Sequence, residues 1–275
     1  MPELPEVETI RKTLIPLVSN KTIDKVEVYW PKMVKVPDDV ERFKLLLQGQ
    51  TIQRMGRRGK FLLFYLNDVV LISHLRMEGK YRVVSSAEPI EKHTHVIFTF
   101  TNGEDLRYND VRKFGTMHVY PIGQEFESEP LKKLGPEPFD EGFTLDYLYQ
   151  KLKRTERPIK AVLLDQTVVT GLGNIYVDET LFRAKIHPSK KASHLTKKEV
   201  ERIRDESIHT LADAVKQGGT TIRSYVNGQG EMGMFQQELF VYGQENKECK
   251  RCGNLILKTK VAGRGTHICP NCQKE

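Results

Sequence analysis

The chain begins MPELPEVETI, and its second and third residues could do chemistry that few termini can. Once Met1 is removed, Pro2 carries a free secondary amine. Such an amine attacks an aminal or aldehyde carbon and closes to an iminium, without the flexible stem a lysine would bring. Desolvation keeps part of it unprotonated and therefore nucleophilic. Glu3 can deliver a proton to a sugar ring oxygen, a general-acid task suited to a carboxyl of raised pKa. With Met1 attached, the Pro2 nitrogen is a tertiary amide and this chemistry is closed. Proline at a helix start is also routine, so Pro–Glu alone does not separate a catalyst from a helix terminus. Glu6, one turn further on, is expected to cap that helix or fix the terminus.

A second constellation sits at the other end. All four cysteines fall in the pattern Cys249-x2-Cys252-x16-Cys269-x2-Cys272, the spacing of a ribbon-type tetrahedral zinc site. Two knuckles each offer two thiolates to one cation, and the metal holds a segment too poor in apolar residues to fold alone. Four thiolates leave no open coordination position, so the expected ion is one structural Zn2+. No cysteine remains as a nucleophile. Between the knuckles lies LKTKVAGRGTH, where glycines flank Arg264 and let a tight turn present its guanidinium.

The elements that must position these residues read in three blocks. Val7, Ile10, Leu14 and Leu17 recur at helical spacing and anchor the terminus. Short apolar runs then follow, KVEVYW, KFLLFYL, VVLISHL, KYRVV, HVIFTF and MHVY, separated by turn residues, which suggests a β-sandwich or barrel. A stretch rich in Pro, Gly and Glu over 121–143 marks a linker, with a boundary near 134. Beyond it LDYLYQKLKR, IKAVLLDQTVV, NIYVDETLFRAKI and KKEVERIRDESIHTLADAVKQ read as four helices, and ELFVYG as a strand leading into the cysteines. The expected class is α+β and multidomain: an N-terminal β-sandwich with a helix over 1–133, a helical domain over 134–228, and the remainder with its zinc ribbon over 229–275.

Lys and Arg outnumber Asp and Glu 43 to 36, a net charge of +7 that favours polyanions. Six of the basic residues lie between 249 and 275 against one acid, and RMGRRGK holds four more with none. A solvated surface would account for either cluster equally well. No run reaches the length of a membrane span and no apolar signal core opens the chain, so the expected location is cytoplasmic. No Asp/His set is spaced for two metals, and neither a P-loop nor a G-x-S-x-G elbow is present.

PELPEVET, GRRGK, HLRMEGK, DVRKFG, LGPEP, GLGNIYVDETLF, QGGTT and the ribbon with AGRGTH, in that order over the whole length, together resemble the bacterial formamidopyrimidine-DNA glycosylase family. The resemblance implies a bifunctional repair enzyme, monomeric, acting on double-stranded DNA that contains oxidised purines or abasic sites. It would excise 8-oxoguanine and formamidopyrimidines and cut the abasic strand by β,δ-elimination. It also implies that the helical domain carries a helix-two-turn-helix motif. By position, Pro2 is similar to the family's Schiff-base nucleophile and Glu3 to its general acid. Lys60 resembles the lysine of proton transfer and phosphate contact, and Arg264 the finger arginine of phosphate binding and δ-elimination.

Met77, Arg112 and Phe114 match the residues that fill the hole left by an everted nucleotide. His93, His74, Asn174, Tyr242 and Lys258 match further DNA contacts, with Asn174 expected as an N-cap whose helix aims its amides at a phosphate. His95 and His118 are expected to be structural. A lysine that some members carry just before the stretch matching IKAVLLD has no clean counterpart in KRTERPIK, where Arg154 and Arg157 stand unassigned. A lesion-capping loop is expected around GGTTIRSYVNGQGEMGMFQ. Two other readings stay open: an endonuclease VIII-like glycosylase for oxidised pyrimidines, and a non-catalytic zinc-ribbon DNA-binding protein on the same scaffold.

Overall fold

The computed structural model describes residues 1–221 and 232–274, so most of the expected lesion-capping loop lies outside the described residues. The chain forms two compact units, residues 1–132 with 218–234, and residues 133–217 with 235–275.

The first unit opens with helix α1 (Leu4–Val18), whose Leu4, Val7, Ile10, Leu14 and Val18 are all buried. Pro5 sits in its first turn, where a missing N–H costs nothing. Nine strands follow: β1 (Ile23–Val28), β2 (Val34–Val36), β3 (Arg54–Arg58), β4 (Phe61–Tyr65), β5 (Val69–His74), β6 (Lys80–Ser85), β7 (Thr94–Phe100), β8 (Glu104–Asn109) and β9 (Thr116–Pro121). They make a four-stranded sheet in the order β1-β7-β8-β6 and a five-stranded sheet in the order β2-β9-β5-β4-β3. Side chains of both sheets and of α1 share one apolar core, including Val7, Leu14, Leu62, Phe64, Phe98, Leu106, Tyr108 and Met117. Burying each such side chain stabilises the fold by about 1.5–3 kcal/mol. Strands β4 and β5 are buried at every position, and α1 packs against β3 and β4.

Three elements of this unit give little signal in the sequence. β8 is polar, EDLRYN, yet pairs with both β6 and β7. Its Arg107 is buried against Asp105 at 2.9–3.0 Å and donates to the carbonyls of Glu88 and Pro89, which satisfies the charge internally. β3 is the basic knot itself. Helix α2 (Val40–Leu47) starts where the Asp39 carboxylate accepts the Arg42 N–H.

The second unit holds α3 (Leu145–Lys153), α4 (Ile159–Leu163), α5 (Asn174–Ala184), α6 (Lys197–Lys216) and the hairpin β10 (Leu257–Val261) with β11 (Arg264–Ile268). α5 and α3 both pack on α6, which begins with a Thr196/Glu199 capping box. Among the described residues, no helix is long and apolar enough to cross a membrane.

Three expectations for this unit are corrected. The segment IKAVLLDQTVV is helical only to Leu163, because the Asp165 carboxylate takes the Thr167 N–H and hydroxyl and turns the chain. ELFVYG is not a strand: the N–H groups of Phe240, Val241 and Tyr242 converge on the Glu179 carboxylate, each at 2.9 Å, which leaves them unable to join a ladder. Asn174 is the first residue of α5 rather than its N-cap, a place that Gly173 takes in an extended conformation.

Candidate functional site

In the first unit the start of α1 is held from two directions. Pro2 and Glu3 are buried, while Met1 is about half exposed. The Glu6 carboxylate accepts the Glu3 N–H at 2.8 Å through Oε2 and the Thr220 N–H at 2.7 Å through Oε1. One side chain thereby ties the residue after Pro2 to the start of the segment expected to cap a lesion. The approach requires glycine next door: a Cβ at Gly219, whose φ is +80°, would lie 2.8 Å from Glu6 Oε1.

The basic knot is partly internal rather than a plain solvated face. Arg57 donates to Glu8 at 3.1 Å and to the Gly59 carbonyl at 3.0 Å, bracing the turn that presents Lys60. Gly59 adopts φ +56° there, and Lys60 is buried. Burial works against the charge of Glu8, but Arg11 and Arg57 outweigh it and hold its carboxyl below the ordinary value. The Arg54 guanidinium stacks on the Tyr65 ring, 3.4 Å from its centroid.

His74 is buried edge-on to Phe61, and its Nδ1 accepts the Arg76 N–H at 2.9 Å. Burial first, then the cationic charges of Arg76 and Lys60, push its pKa down to about 3, so it is neutral at physiological pH. His93 is half-buried just before β7. His95 is buried, with Nε2 at 2.8 Å from the Asp110 carbonyl, and His118 is buried, its pKa driven down to about 4 mainly by burial.

Two short loops carry the three expected wedge residues. Met77 lies in the turn between β5 and β6 and is 41% exposed, and Phe114 lies in the loop between β8 and β9 and is 51% exposed. Arg112 is exposed, with its guanidinium 4.8 Å from the Phe114 ring centroid. Large apolar side chains presented on loops cost hydration free energy and suit insertion between bases.

In the second unit the four cysteine sulfurs lie within 4.8 Å of one another. Zn–S bonds of about 2.3 Å in a tetrahedron set sulfurs roughly 3.8 Å apart, and the Cys249–Cys272 and Cys252–Cys269 separations of 4.0 and 3.4 Å bracket that value. The Arg251 N–H points at Cys249 Sγ, 3.4 Å away, as a backbone donor to a thiolate does. The donor set fits one structural zinc.

The hairpin tip that bears exposed Arg264 is anchored to the helices behind it. Lys160 Nζ donates to Asp178 Oδ1 at 2.6 Å and to the Gly265 carbonyl at 2.9 Å, and both charged side chains are fully buried. Asn174 Nδ2 donates to the same carbonyl at 3.0 Å, and Asp178 Oδ2 accepts the His267 N–H at 2.9 Å. Asn174 is thus engaged with the finger rather than with its own helix. Tyr242 lies 4.8 Å from His267 between ring centroids, and Lys258 is exposed, paired with Glu245 at 3.0 Å.

Sequence reasoning missed Lys160, Asp178 and Glu179, whose roles lie in pairing across long separations. The one signal in the sequence is their charge within the apolar stretches of α4 and α5. Arg157, by contrast, pairs with Asp165 at 3.0 Å, half exposed.

The chain matches three family models: the formamidopyrimidine-DNA glycosylase N-terminal domain over residues 1–117, the formamidopyrimidine-DNA glycosylase H2TH domain over 134–226, and the zinc finger found in FPG and IleRS over 246–274. It is 67% identical over 273 residues to the formamidopyrimidine-DNA glycosylase of Oceanobacillus iheyensis, covering 99% of this chain and 98% of that protein. Among solved structures it is similar to Lactococcus lactis Fpg in complex with DNA containing an abasic site, and to a variant of that protein with DNA containing Fapy-dG. Each shows a TM-score of 0.94 and 46% identity over the full length of both chains. The match of all three models and of full-length relatives leaves one conclusion: this chain belongs to the formamidopyrimidine-DNA glycosylase family.

Proposed function

We propose that the chain is a base-excision repair enzyme that removes oxidised purines from double-stranded DNA through a Pro2 Schiff base and then cleaves the abasic strand by β,δ-elimination. The observation that carries this reading is the terminus itself, where Pro2 and Glu3 are buried and the Glu6 carboxylate accepts both the Glu3 N–H and the N–H of distant Thr220. The Oceanobacillus iheyensis relative is a formamidopyrimidine-DNA glycosylase, and the complexes of the similar Lactococcus lactis Fpg hold abasic and Fapy-dG DNA.

After Met1 removal the Pro2 nitrogen attacks C1′ of the everted nucleotide. The bond from C1′ to the base breaks, and the base leaves with the electron pair and takes up a proton. The amine loses its own proton, Glu3 protonates O4′ as the ring opens, and an iminium remains. Loss of a C2′ proton expels the 3′ phosphate, loss of the C4′ proton expels the 5′ phosphate, and water hydrolyses the iminium to free Pro2. Lys60 transfers protons and contacts phosphate, and Arg264 binds phosphate for the second elimination. Met77, Arg112 and Phe114 fill the vacated stack, while His93, His74, Asn174, Tyr242 and Lys258 contact DNA. The zinc serves to hold the hairpin that presents Arg264. In this division residues 1–133 carry the nucleophile, 134–228 grip the duplex, and 229–275 supply the finger.

Borohydride trapping on a duplex with 8-oxoguanine opposite cytosine, followed by mass mapping, tests the reading. A reduced crosslink on Pro2 is expected, and it should vanish when Met1 is retained. A crosslink on a lysine, or none alongside strand cleavage, would overturn the nucleophile assignment.

A further inference from the structure

The loop that carries Arg112 and Phe114 is largely exposed: Phe114 is half exposed, Lys113 between them stands at φ +59°, and the Lys113 ammonium lies 4.2 Å from the Trp30 ring centroid. A loop so exposed must be held from beneath. Asp110 does this with every polar group it has. Its Oδ1 accepts the Arg112 N–H at 3.0 Å, and its Oδ2 accepts the N–H groups of Phe114 and Gly115, both at 2.9 Å. Its own N–H donates to the His93 carbonyl, and its carbonyl meets His95 Nε2 and the Lys113 N–H. The residue is buried, and hydrogen bonds from backbone N–H groups to an ionised acceptor are about twice as strong as neutral ones.

The same point is keyed to the second loop. The hydroxyl of buried Tyr108 fits between Gly115 and Gly79, at the bases of the Phe114 and Met77 loops. A Cβ at Gly115 would lie 1.9 Å from that oxygen, and one at Gly79 would lie 2.1 Å from it. Burial and then the charge of Asp110 keep the Tyr108 hydroxyl protonated. The two loops therefore rest on one buried tyrosine, with the carboxylate that shapes one of them beside it.

We propose that Asp110 is a positioning residue for lesion capture: its carboxylate presets the Arg112–Phe114 loop as a wedge, with Tyr108 holding the Met77 loop in register beside it. The proposal rests on the function proposed above. A preset wedge matters where a base must be pushed out of a paired stack and matters less where no base remains.

The test is single-turnover kinetics of Asp110→Asn on two duplexes, one with 8-oxoguanine opposite cytosine and one with a preformed abasic site. The expected result is a fall of at least tenfold in the ratio of base excision to abasic-site cleavage. Phe114→Ala should lower the same ratio, and the double variant should fall no further than the lower single, because Asp110 acts through the loop that Phe114 crowns. A parallel loss of both activities would overturn the proposal, since that is what a merely structural role produces. So would an unchanged ratio, or losses that multiply in the double variant. Should Asp110→Asn not fold, Asp110→Glu keeps the charge, displaces it by one methylene and carries the same test. A wild-type protein inactive on both duplexes overturns the proposed function itself and takes the wedge with it.

Discussion

Replacing Lys160 by Met removes an ammonium group held 2.6 Å from Asp178 and 2.9 Å from the Gly265 carbonyl, in a place with no solvent exposure. Methionine fills nearly the same volume, so the cavity contribution is small. The main loss is the stranded Asp178 carboxylate, for which breaking a buried pair costs about 3–5 kcal/mol. The Gly265 carbonyl keeps its bond from Asn174 and adds little. Adding Asp178→Leu removes the stranded charge, though the His267 N–H then loses its acceptor at about 1–3 kcal/mol. The double variant should therefore be more stable than the single. Urea unfolding is followed with two reporters. The one tryptophan, Trp30, reports on the first, while far-UV circular dichroism is dominated by the helices, most of which lie in the second. With a slope of about 2–3 kcal/mol per molar urea, the single variant moves the dichroism midpoint down by roughly 1–2 M and leaves the Trp30 transition in place. A shift below about 0.3 M, or a double variant no better than the single, would refute the reasoning.

Stripping zinc with a chelator should unfold the β10–β11 hairpin and abolish DNA binding. The folding free energy of such a segment is its metal-binding free energy, which zinc-content and binding measurements check together. Acid should destabilise the first unit in a defined window. His74 and His118 titrate at about 3 and about 4 in the folded protein against 6.5 unfolded, so below pH 6.5 the unfolded chain takes up protons that the native chain refuses. Each contributes a slope of about 1.4 kcal/mol per pH unit down to its folded value, and a His74→Gln/His118→Gln variant should flatten the Trp30 unfolding midpoint between pH 6.5 and 4. Glu6→Gln leaves the Glu3 and Thr220 N–H groups facing a neutral, half-donor amide. It should lower the rate of borohydride crosslinking at Pro2 at least tenfold, and an unaltered rate would show that the terminus needs no such pin. DNA affinity should fall steeply with salt, the log–log slope dropping by about one when a phosphate-binding Lys or Arg is neutralised.

Much of this molecule is legible in its residues one after another. The heptad-like run after Pro2 predicts α1, the apolar runs predict most strands of the sandwich, and two Cys-x-x-Cys pairs predict the zinc cluster with its four ligands. What these have in common is that the physics is local or periodic: a helix repeats every 3.6 residues, a strand every two, and a metal knuckle closes over four. Elements that the period does not announce owe their form to partners far along the chain. β8 can bury its Arg107 because the carbonyls of Glu88 and Pro89, on a neighbouring loop, accept from it alongside Asp105, and ELFVYG stays irregular because Glu179, some sixty residues earlier, takes its amides.

The chemical groups are named by the order of residues alone: a proline at position 2 whose nitrogen becomes an amine once Met1 is gone, a carboxyl beside it, four thiols and an excess of cationic side chains. What holds them in place comes from contacts that folding makes. Glu6 is 214 residues from Thr220, Lys160 is 105 from Gly265, and His267 is 89 from Asp178. No pattern of neighbours announces such pairs, because a buried carboxylate or ammonium is stable only against the partner that folding brings to it, and that partner is set by the packing of apolar faces elsewhere in the chain.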